Sequence, residues 1–255
     1  MVTHSISRRR PVSVPSTTVA NALICLPTYN ERANLEEMIE ALRPFGVHVL
    51  VVDDNSPDGT GEIADRLARE LDFVSVLHRE RKEGLGPAYV AGFRRALADG
   101  AEFVLEMDCD FSHDPADVVR LVEACESGAD LALGSRYVPG GGTEDWGRGR
   151  RLVSTGGSWY ARTILGVPIR DLTGGFKCYR REVLEAIDLD AIRSRGYAFQ
   201  IETTYRAIRL GFDVVEVPIL FSDRTEGTSK MSKTIVLEAV TRVPALRFAA
   251  LTGKI

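Results

Sequence analysis

From Ala22 the chain alternates short apolar runs with amphipathic stretches, the order expected of β-α-β units and a largely parallel sheet. The runs Ala22–Leu26, Val47–Val52, Phe73–Leu77, Phe103–Met107 and Leu131–Leu133 are strand-sized. Between them Leu35, Met38, Ile39 and Leu42 recur at helical spacing, and Ile63, Leu67 and Leu71 recur every fourth residue, so both segments predict helices packed on the sheet. After Gly134 the repeat breaks. Three glycines at 140–142, the arginines 148, 150 and 151, and an amphipathic stretch ending at Leu165 predict a long functional loop followed by a helix. A strand near Phe176–Tyr179, a helix around Phe199–Leu210, a strand Val214–Val217 and a last helix from about Lys233, kinked or shortened by Pro244, complete the pattern. The expectation is one α/β domain over residues 21–255, Rossmann-like with a mainly parallel central sheet flanked by helices, behind a mobile tail at residues 1–20.

Composition narrows the function. With 32 Lys and Arg against 36 Asp and Glu, the formal charge of −4 argues against nucleic acid as a partner. No apolar run approaches the roughly 18 to 20 residues that cross a bilayer. The tail has Arg8-Arg9-Arg10 but no apolar core, so a secretory signal is not expected. Cys25, Cys109, Cys125 and Cys178 are widely spaced, which suggests small buried residues in a reducing cytoplasm rather than disulfides or a zinc site.

In open α/β sheets ligands bind beyond the carboxyl ends of the strands. Here those ends are polar: Pro27-Thr28-Tyr29-Asn30-Glu31, Asp53-Asp54-Asn55-Ser56-Pro57-Asp58-Gly59, Asp108-Cys109-Asp110 and Gly134-Ser135-Arg136. Period-2 geometry points Asp108 and Asp110 the same way and Cys109 the other. Two hard oxygen ligands suit Mg²⁺ or Mn²⁺, which complete their shell with water and phosphate oxygens. The plainer alternative is a solvated turn with a capping Asp. Position favours the metal, because Asp53-Asp54 end a neighbouring strand and two acidic strand ends without a cation repel. Asp53 and Asp54 suit a nucleobase N–H or ribose hydroxyls, or else form a turn with Thr60 as helix cap. Pro27 and Tyr29 suit flanking a base or packing a loop. Gln200 and Glu202, on a predicted helix, either reach into the site or cap and solvate that helix. No dinucleotide or P-loop signature follows the first strand.

These residues carry a resemblance. Pro27-Thr28-Tyr29-Asn30-Glu31, Val51 through Thr60, Lys82-Glu83-Gly84-Leu85-Gly86, Met107-Asp108-Cys109-Asp110, Gly134-Ser135-Arg136-Tyr137 and Arg224-x5-Lys230 together resemble the dolichol/polyprenol-phosphate mannosyltransferases, inverting family 2 glycosyltransferases with the glycosyltransferase-A fold. The motifs run in family order from about Ala22 to Lys233. The resemblance implies that Pro27, Tyr29, Glu31, Asp53 and Asp54 hold the guanosine of GDP-mannose, with Val52 beside the base. It implies a divalent cation on Asp108 and Asp110, backbone contacts from Cys109, an acceptor phosphate met by Arg136 and Arg150, and a diphosphate covered by Arg224 and Lys230. Ser112 stands where many relatives have a Gln metal ligand, which implies weaker or water-filled coordination, and Cys109 replaces a more usual Ala.

The implied acceptor is a polyprenyl phosphate, whose second pKa near 6 leaves it largely dianionic and nucleophilic, so no strong base is needed. Trp146, Trp159 and Tyr160 flank the arginines and suit either a membrane interface or the core. The implied enzyme works in the cytoplasm, peripheral at the inner membrane face, with or without a separate membrane-anchoring protein. Two rivals remain: a UDP-dependent glucosyl- or N-acetylhexosaminyl-transferase, and a non-catalytic nucleotide-sugar-binding module.

Overall fold

The computed structural model describes residues 19, 21–144, 146–222, 233–253 and 255. Most of the expected tail, together with Arg224 and Lys230, lies outside the described residues. Val19, within that tail, is buried and donates its N–H to the Phe45 carbonyl at 3.2 Å, so packing begins before residue 21.

The strands are β1 (Ala22–Thr28), β2 (His48–Asp53), β3 (Val74–His78), β4 (Phe103–Glu106), β5 (Leu131–Ser135), β6 (Gly142–Thr143), β7 (Lys177–Arg180), β8 (Val214–Pro218) and β9 (Leu220–Phe221). The helices are α1 (Leu35–Leu42), α2 (Thr60–Glu70), α3 (Leu85–Ala98), α4 (Asp117–Glu126), α5 (Arg148–Leu165), α6 (Arg181–Ala186), α7 (Tyr197–Arg209) and α8 (Lys233–Leu251), with short helical turns at Arg43–Phe45 and Leu189–Ala191. Seven strands form one sheet in the order β3-β2-β1-β4-β7-β5-β8, and β6 pairs with β9 in a separate parallel ladder. The large sheet is parallel except for β7, which runs antiparallel to both β4 and β5.

Alternation decides the layers. On β1, Ile24 and Leu26 join the face covered by α1, α2 and α4, while Leu23 and Cys25 join the face covered by α3, α6 and α7. Near-continuous burial of β1 and β2 is the mark of strands covered on both faces. A third cluster packs α5, α7 and α8 through residues such as Leu165, Ile201, Tyr205, Val243 and Leu246. Burying each such side chain is worth about 1.5–3 kcal/mol. Pro244 does not shorten α8, which continues to Leu251; the residue sits on the exposed side of the helix. The four cysteines are buried and unpaired, as expected.

The antiparallel β7 matters most for function. Because it starts at the edge where its parallel neighbours end, the loop before it, residues 171–176, is delivered to the same edge as the polar strand ends.

Candidate functional site

The β1 and β2 ends are stitched together. Thr28 Oγ1 donates to Asp53 Oδ1 at 3.3 Å, the Asn30 N–H to Ser56 Oγ at 3.1 Å, and the Glu31 N–H to Thr60 Oγ1 at 3.0 Å. Asp53 also accepts from the Ser56 N–H at 3.2 Å and from Ser56 Oγ at 2.6 Å, so it braces its own loop. Asn30, Asn55 and Phe111 hold φ near +60°, a conformation that costs energy for residues other than glycine. One such residue follows each of β1, β2 and β4. Thr60 is not the cap of α2: Gly59 occupies that position, and Asp58 Oδ1 accepts from both the Thr60 N–H and its hydroxyl.

The two acidic strand ends are not the neighbours expected, since β1 lies between β2 and β4, and the charge at Asp53-Asp54 is answered by the protein rather than by a metal. Arg79, just past β3, pairs with Asp54 and also with Glu83 at 3.0 Å. Burial raises the Asp54 carboxyl above its ordinary range, and Arg79, with Lys82, opposes that rise. The Lys82 ammonium lies 3.8 Å from the centre of the Tyr29 ring, a cation–π contact that orders the loop expected to flank a base. Gly86 in the neighbouring motif is there for space, since a Cβ would lie 2.3 Å from the Ser194 carbonyl oxygen. That glycine lets α3 pack against the chain entering α7.

At the centre, β4 ends at Glu106, so a turn and not strand alternation sets the acids that follow. Asp108 is half-buried, with Tyr89 donating to its Oδ1 at 3.4 Å, and Asp110 is buried and accepts the Ser112 N–H at 3.0 Å. Cys109 points into the core on the α1, α2 and α4 side, as expected, and burial pushes its thiol well above the usual range, with Glu31, Asp110 and Asp108 adding to the rise. Glu31 is thereby placed beside the D-x-D turn.

Ser112 Oγ is buried without a hydrogen-bond partner among the described residues. Two hard carboxylates and an uncommitted hydroxyl within one turn fit a divalent cation of the Mg²⁺ or Mn²⁺ kind. Among the described residues no three His, Cys, Asp or Glu side chains gather as a self-sufficient metal cage. The set therefore suits a cation that takes its remaining ligands from water and a phosphate.

On the far side, Arg136 is held firmly. Its Nε and Nη2 donate to Asp171 Oδ2 and Oδ1 at 2.7 and 2.6 Å, Nη2 also reaches Thr173 Oγ1 at 2.9 Å, and the Arg136 N–H returns to Asp171 Oδ2 at 3.0 Å. Asp171 is itself set by Glu216 of β8, which accepts the N–H groups of Arg170 and Asp171 at 2.8 and 2.9 Å. Burial lowers the Arg136 pKa and Asp171 more than offsets it, so the guanidinium stays charged.

The Arg136 and Arg150 guanidiniums stand 5.5 and 4.3 Å from the centre of the Trp146 ring. Trp146 abuts Phe221 edge-on, Phe221 abuts His113, and His113 packs on Phe176. One aromatic wall thus joins the D-x-D turn to the arginine pair. Ser222, the last described residue before the segment bearing Arg224 and Lys230, donates its N–H to the Ser112 carbonyl at 3.1 Å.

The structure therefore gathers Pro27, Tyr29, Glu31, Val52, Asp53, Asp54, Asp108, Cys109, Asp110, Ser112, Arg136 and Arg150 along one edge. Sequence reasoning missed Arg79, Asp171, Thr173 and Glu216, whose roles depend on partners far away in the chain. The left-handed Asn30 and Asn55 were the local signal available, because asparagine is enriched in that conformation. Of the two α7 residues, Glu202 is committed to Ser194 and Arg206, whereas Gln200 is not fully engaged.

Residues 23–188 match the model of Glycosyl transferase family 2. A polyprenol monophosphomannose synthase of Mycolicibacterium smegmatis is 52% identical over 224 residues, covering 87% of this chain and 84% of the relative. An undecaprenyl-phosphate mannosyltransferase of Micrococcus luteus is 50% identical over 230 residues, covering 89% and 94%. Among solved structures, glucosyl-3-phosphoglycerate synthase of Mycobacterium tuberculosis shares the fold. Its complex with phosphoglyceric acid has a TM-score of 0.65 at 22% identity, covering 87% of this chain and 79% of that one. Its complex with Mn²⁺, UDP and glucosyl-3-phosphoglycerate has a TM-score of 0.61 at 21% identity, covering 91% and 78%. With the family model spanning most of the sheet and relatives identical at half of their aligned positions, this chain belongs to glycosyl transferase family 2.

Proposed function

We propose that the chain transfers mannose from GDP-mannose to a polyprenyl monophosphate with inversion, giving a β-linked mannosyl phospholipid. The observation that carries this reading is the aromatic wall between two poles of opposite charge: the acids Asp108 and Asp110 at one end, the cations Arg136 and Arg150 at the other. The names of the two mannosyl-transferring relatives support the sugar and the lipid phosphate.

The physical problem is to bring two anions together. Two unit charges about 4 Å apart repel by roughly 4 kcal/mol at an effective dielectric of 20. Asp108, Asp110 and Ser112 would hold Mg²⁺ or Mn²⁺, which supplies Lewis-acid neutralisation of the leaving diphosphate when bound. Such ions accompany UDP in the solved glucosyl-3-phosphoglycerate synthase complexes. Arg136 offers Nη1, which its bonds to Asp171 and Thr173 leave out, and Arg150 approaches over the same indole. Together they receive the acceptor phosphate, which is already ionised and attacks opposite the leaving group. Catalysis is then mostly positioning and fixed charge. Pro27, Tyr29, Glu31 and Val52 form the guanosine side, braced by Asp53 and Asp54, with Cys109 contributing backbone. Arg224 and Lys230 are assigned to the diphosphate from the family pattern.

A membrane face accompanies this assignment. No helix among the described residues is long and apolar enough to cross a bilayer. Leu152 and Trp159 on α5 recur seven apart, Val240, Phe248 and Leu251 on α8 also share a stripe, and all are exposed. The two helices pack together, with the Tyr160 hydroxyl donating to the Val240 carbonyl at 2.8 Å. An apolar stripe beside Arg150 and Arg151 suits the interface where a phosphate headgroup resides, so the protein works as a peripheral enzyme at the cytoplasmic leaflet, with or without an anchoring partner.

The test is transfer of labelled mannose from GDP-mannose to a short-chain polyprenyl phosphate in Mg²⁺ and in Mn²⁺, beside UDP-glucose and UDP-N-acetylglucosamine. Mannosyl lipid formed only from GDP-mannose is the expected outcome. Stronger stabilisation and turnover with a UDP donor would reassign the sugar nucleotide, and binding without turnover of any donor would make the chain a binding module.

A further inference from the structure

The two arginines assigned to the acceptor come from different parts of the chain. Arg136 follows β5, whereas Arg150 sits in the first turn of α5, so one phosphate meets both only when that helix stands at a fixed distance from the β5 edge. Both guanidiniums rest near the Trp146 ring, but an aromatic face attracts a cation without closely fixing its direction. Directional bonds are needed to hold α5 in place.

Ser158 is placed to supply one. Leu152 and Trp159, 75% and 67% exposed, mark the outer side of α5, while Ser158, Ala161 and Leu165 recur at helical spacing on the inner side and are buried. Ala161 and Leu165 join the apolar cluster with α7 and α8. Ser158 is fully buried among the polar side chains described on this helix, yet it adds no apolar surface to that cluster. A serine within a helix often bonds back to the carbonyl four residues earlier, as Thr163 does to Trp159 at 2.8 Å. The Ser158 hydroxyl instead meets Thr173 Oγ1, in the loop before β7, at 3.1 Å.

Thr173 is the junction. Its oxygen accepts from Arg136 Nη2 at 2.9 Å, and its single proton faces Asp171 Oδ1 at 3.3 Å. With that proton committed, Ser158 donates and Thr173 accepts, which uses the one proton and both lone pairs of the threonine hydroxyl. A short route of hydrogen bonds therefore runs from α5 through Ser158 and Thr173 to the guanidinium of Arg136. Neutral hydroxyls suit this route: Asp171 already balances Arg136, and a second carboxylate would cancel the positive charge that has to meet a phosphate.

We propose that Ser158 is a positioning residue for acceptor capture: through Thr173 it sets α5, and with it Arg150, at the spacing from Arg136 at which both guanidiniums engage one phosphate. Being buried, it does so without touching substrate. The inference rests on the mannosyltransfer reading.

The experiment measures initial rates with GDP-mannose and a short-chain polyprenyl phosphate for wild type, Ser158→Ala, Arg150→Ala and the double variant. Ser158→Ala is expected to raise KM for the lipid phosphate about fivefold, the worth of one neutral hydrogen bond, while kcat and KM for GDP-mannose stay within about twofold of wild type. In the Arg150→Ala background the same substitution should add nothing to the acceptor KM, because no second guanidinium is left to place. Thr173→Val removes the link from its other side and should repeat the rise, and Thr173→Ser should restore most of it, so the idea stays testable even where alanine at 158 fails to fold. Unchanged acceptor KM in Ser158→Ala, an equal rise in KM for GDP-mannose, or a full penalty retained in the Arg150→Ala background would each overturn the proposal while wild-type transfer stands. No transfer by wild type to any polyprenyl phosphate would remove the parent reading and this one with it.

Discussion

At the end of β2 two carboxylates, Asp53 and Asp54, are held by the protein's own hydroxyls and by Arg79, whereas at the end of β5 a cation, Arg136, is held by the carboxylate of Asp171. The first region is acid braced by base and hydroxyl; the second is base braced by acid and ringed by aromatic side chains. Asp54 and Arg136 are each backed by an opposite charge, Arg79 and Asp171, which fixes their direction. The D-x-D turn between them has the uncommitted hydroxyl of Ser112, which fits the place where charge is to be supplied by a cation. Fixed dipoles and charges aimed before the reaction begins are the largest source of rate enhancement in such sites.

The strongest way to break this contrast is at Asp171, which is fully buried and makes a bidentate pair with an Arg136 side chain only 7% exposed. Removing one partner of a buried pair strands the other, so Asp171→Leu should cost about 3–5 kcal/mol of stability, read as a lowered urea midpoint. Arg136→Leu combined with Asp171→Leu should recover most of that stability, because two apolar groups replace the pair, while transfer to the lipid phosphate stays lost. Recovery of both stability and transfer would make the pair a structural strut with no role at the acceptor.

Asp110→Asn comes next. The asparagine oxygen can still accept the Ser112 N–H, so the turn should survive with an unchanged melting temperature. Loss of one anionic ligand at the point of developing charge is expected to lower kcat/KM by about 10²–10³, and excess chelator should do the same to wild type. Full activity in chelator would remove the cation from the account.

How much of this was legible beforehand depends on whether the information is local. Strand ends could be read from apolar runs, and the polar residues after them were recognisable because a parallel sheet presents its carboxyl edge to ligands. Asp108, Asp110 and Arg136 were found that way. Arg79 was not, because nothing near residue 79 signals that β3 lies beside β2 in the register that brings its guanidinium to Asp54. Asp171 was hidden for a related reason: it lies in a loop whose position depends on β7 running against its neighbours, a reversal that a short apolar run does not encode. The chain following β4 also defeated period-2 reasoning, since the strand stops before the acids and Phe111 takes a left-handed conformation.

His113 gives a pH-dependent test of the wall that links the two poles. Burial lowers its pKa from the ordinary 6.5 to about 4, so it is neutral in the native state at pH 6 while an unfolded chain begins to take up a proton. Between those two values the unfolded state binds more protons than the native state, so stability rises with pH there. The contribution is fully present above pH 6.5 and is lost as pH falls toward 4, by up to roughly 3 kcal/mol. Unfolding free energies of wild type and His113→Gln at pH 7 and pH 5 check this: the wild-type value should fall more steeply. Equal slopes would show that other groups govern acid sensitivity.

The smallest effect expected is at Lys82, whose ammonium rests on the Tyr29 ring in a region held mainly by stronger bonds. An exposed cation–π contact is worth about 0.5–1 kcal/mol. Lys82→Met should therefore weaken GDP binding by roughly two- to fivefold, measured calorimetrically, with the melting temperature barely changed. That small factor is informative because it separates ordering from bracing. If Tyr29 is merely kept ready for a base by Lys82, a Lys82→Met enzyme saturated with GDP-mannose should turn over at the wild-type kcat. A fall in kcat at saturation would mean that Lys82 also helps neutralise the departing diphosphate, which would extend the cationic pole across the whole edge and erase the contrast between its two ends.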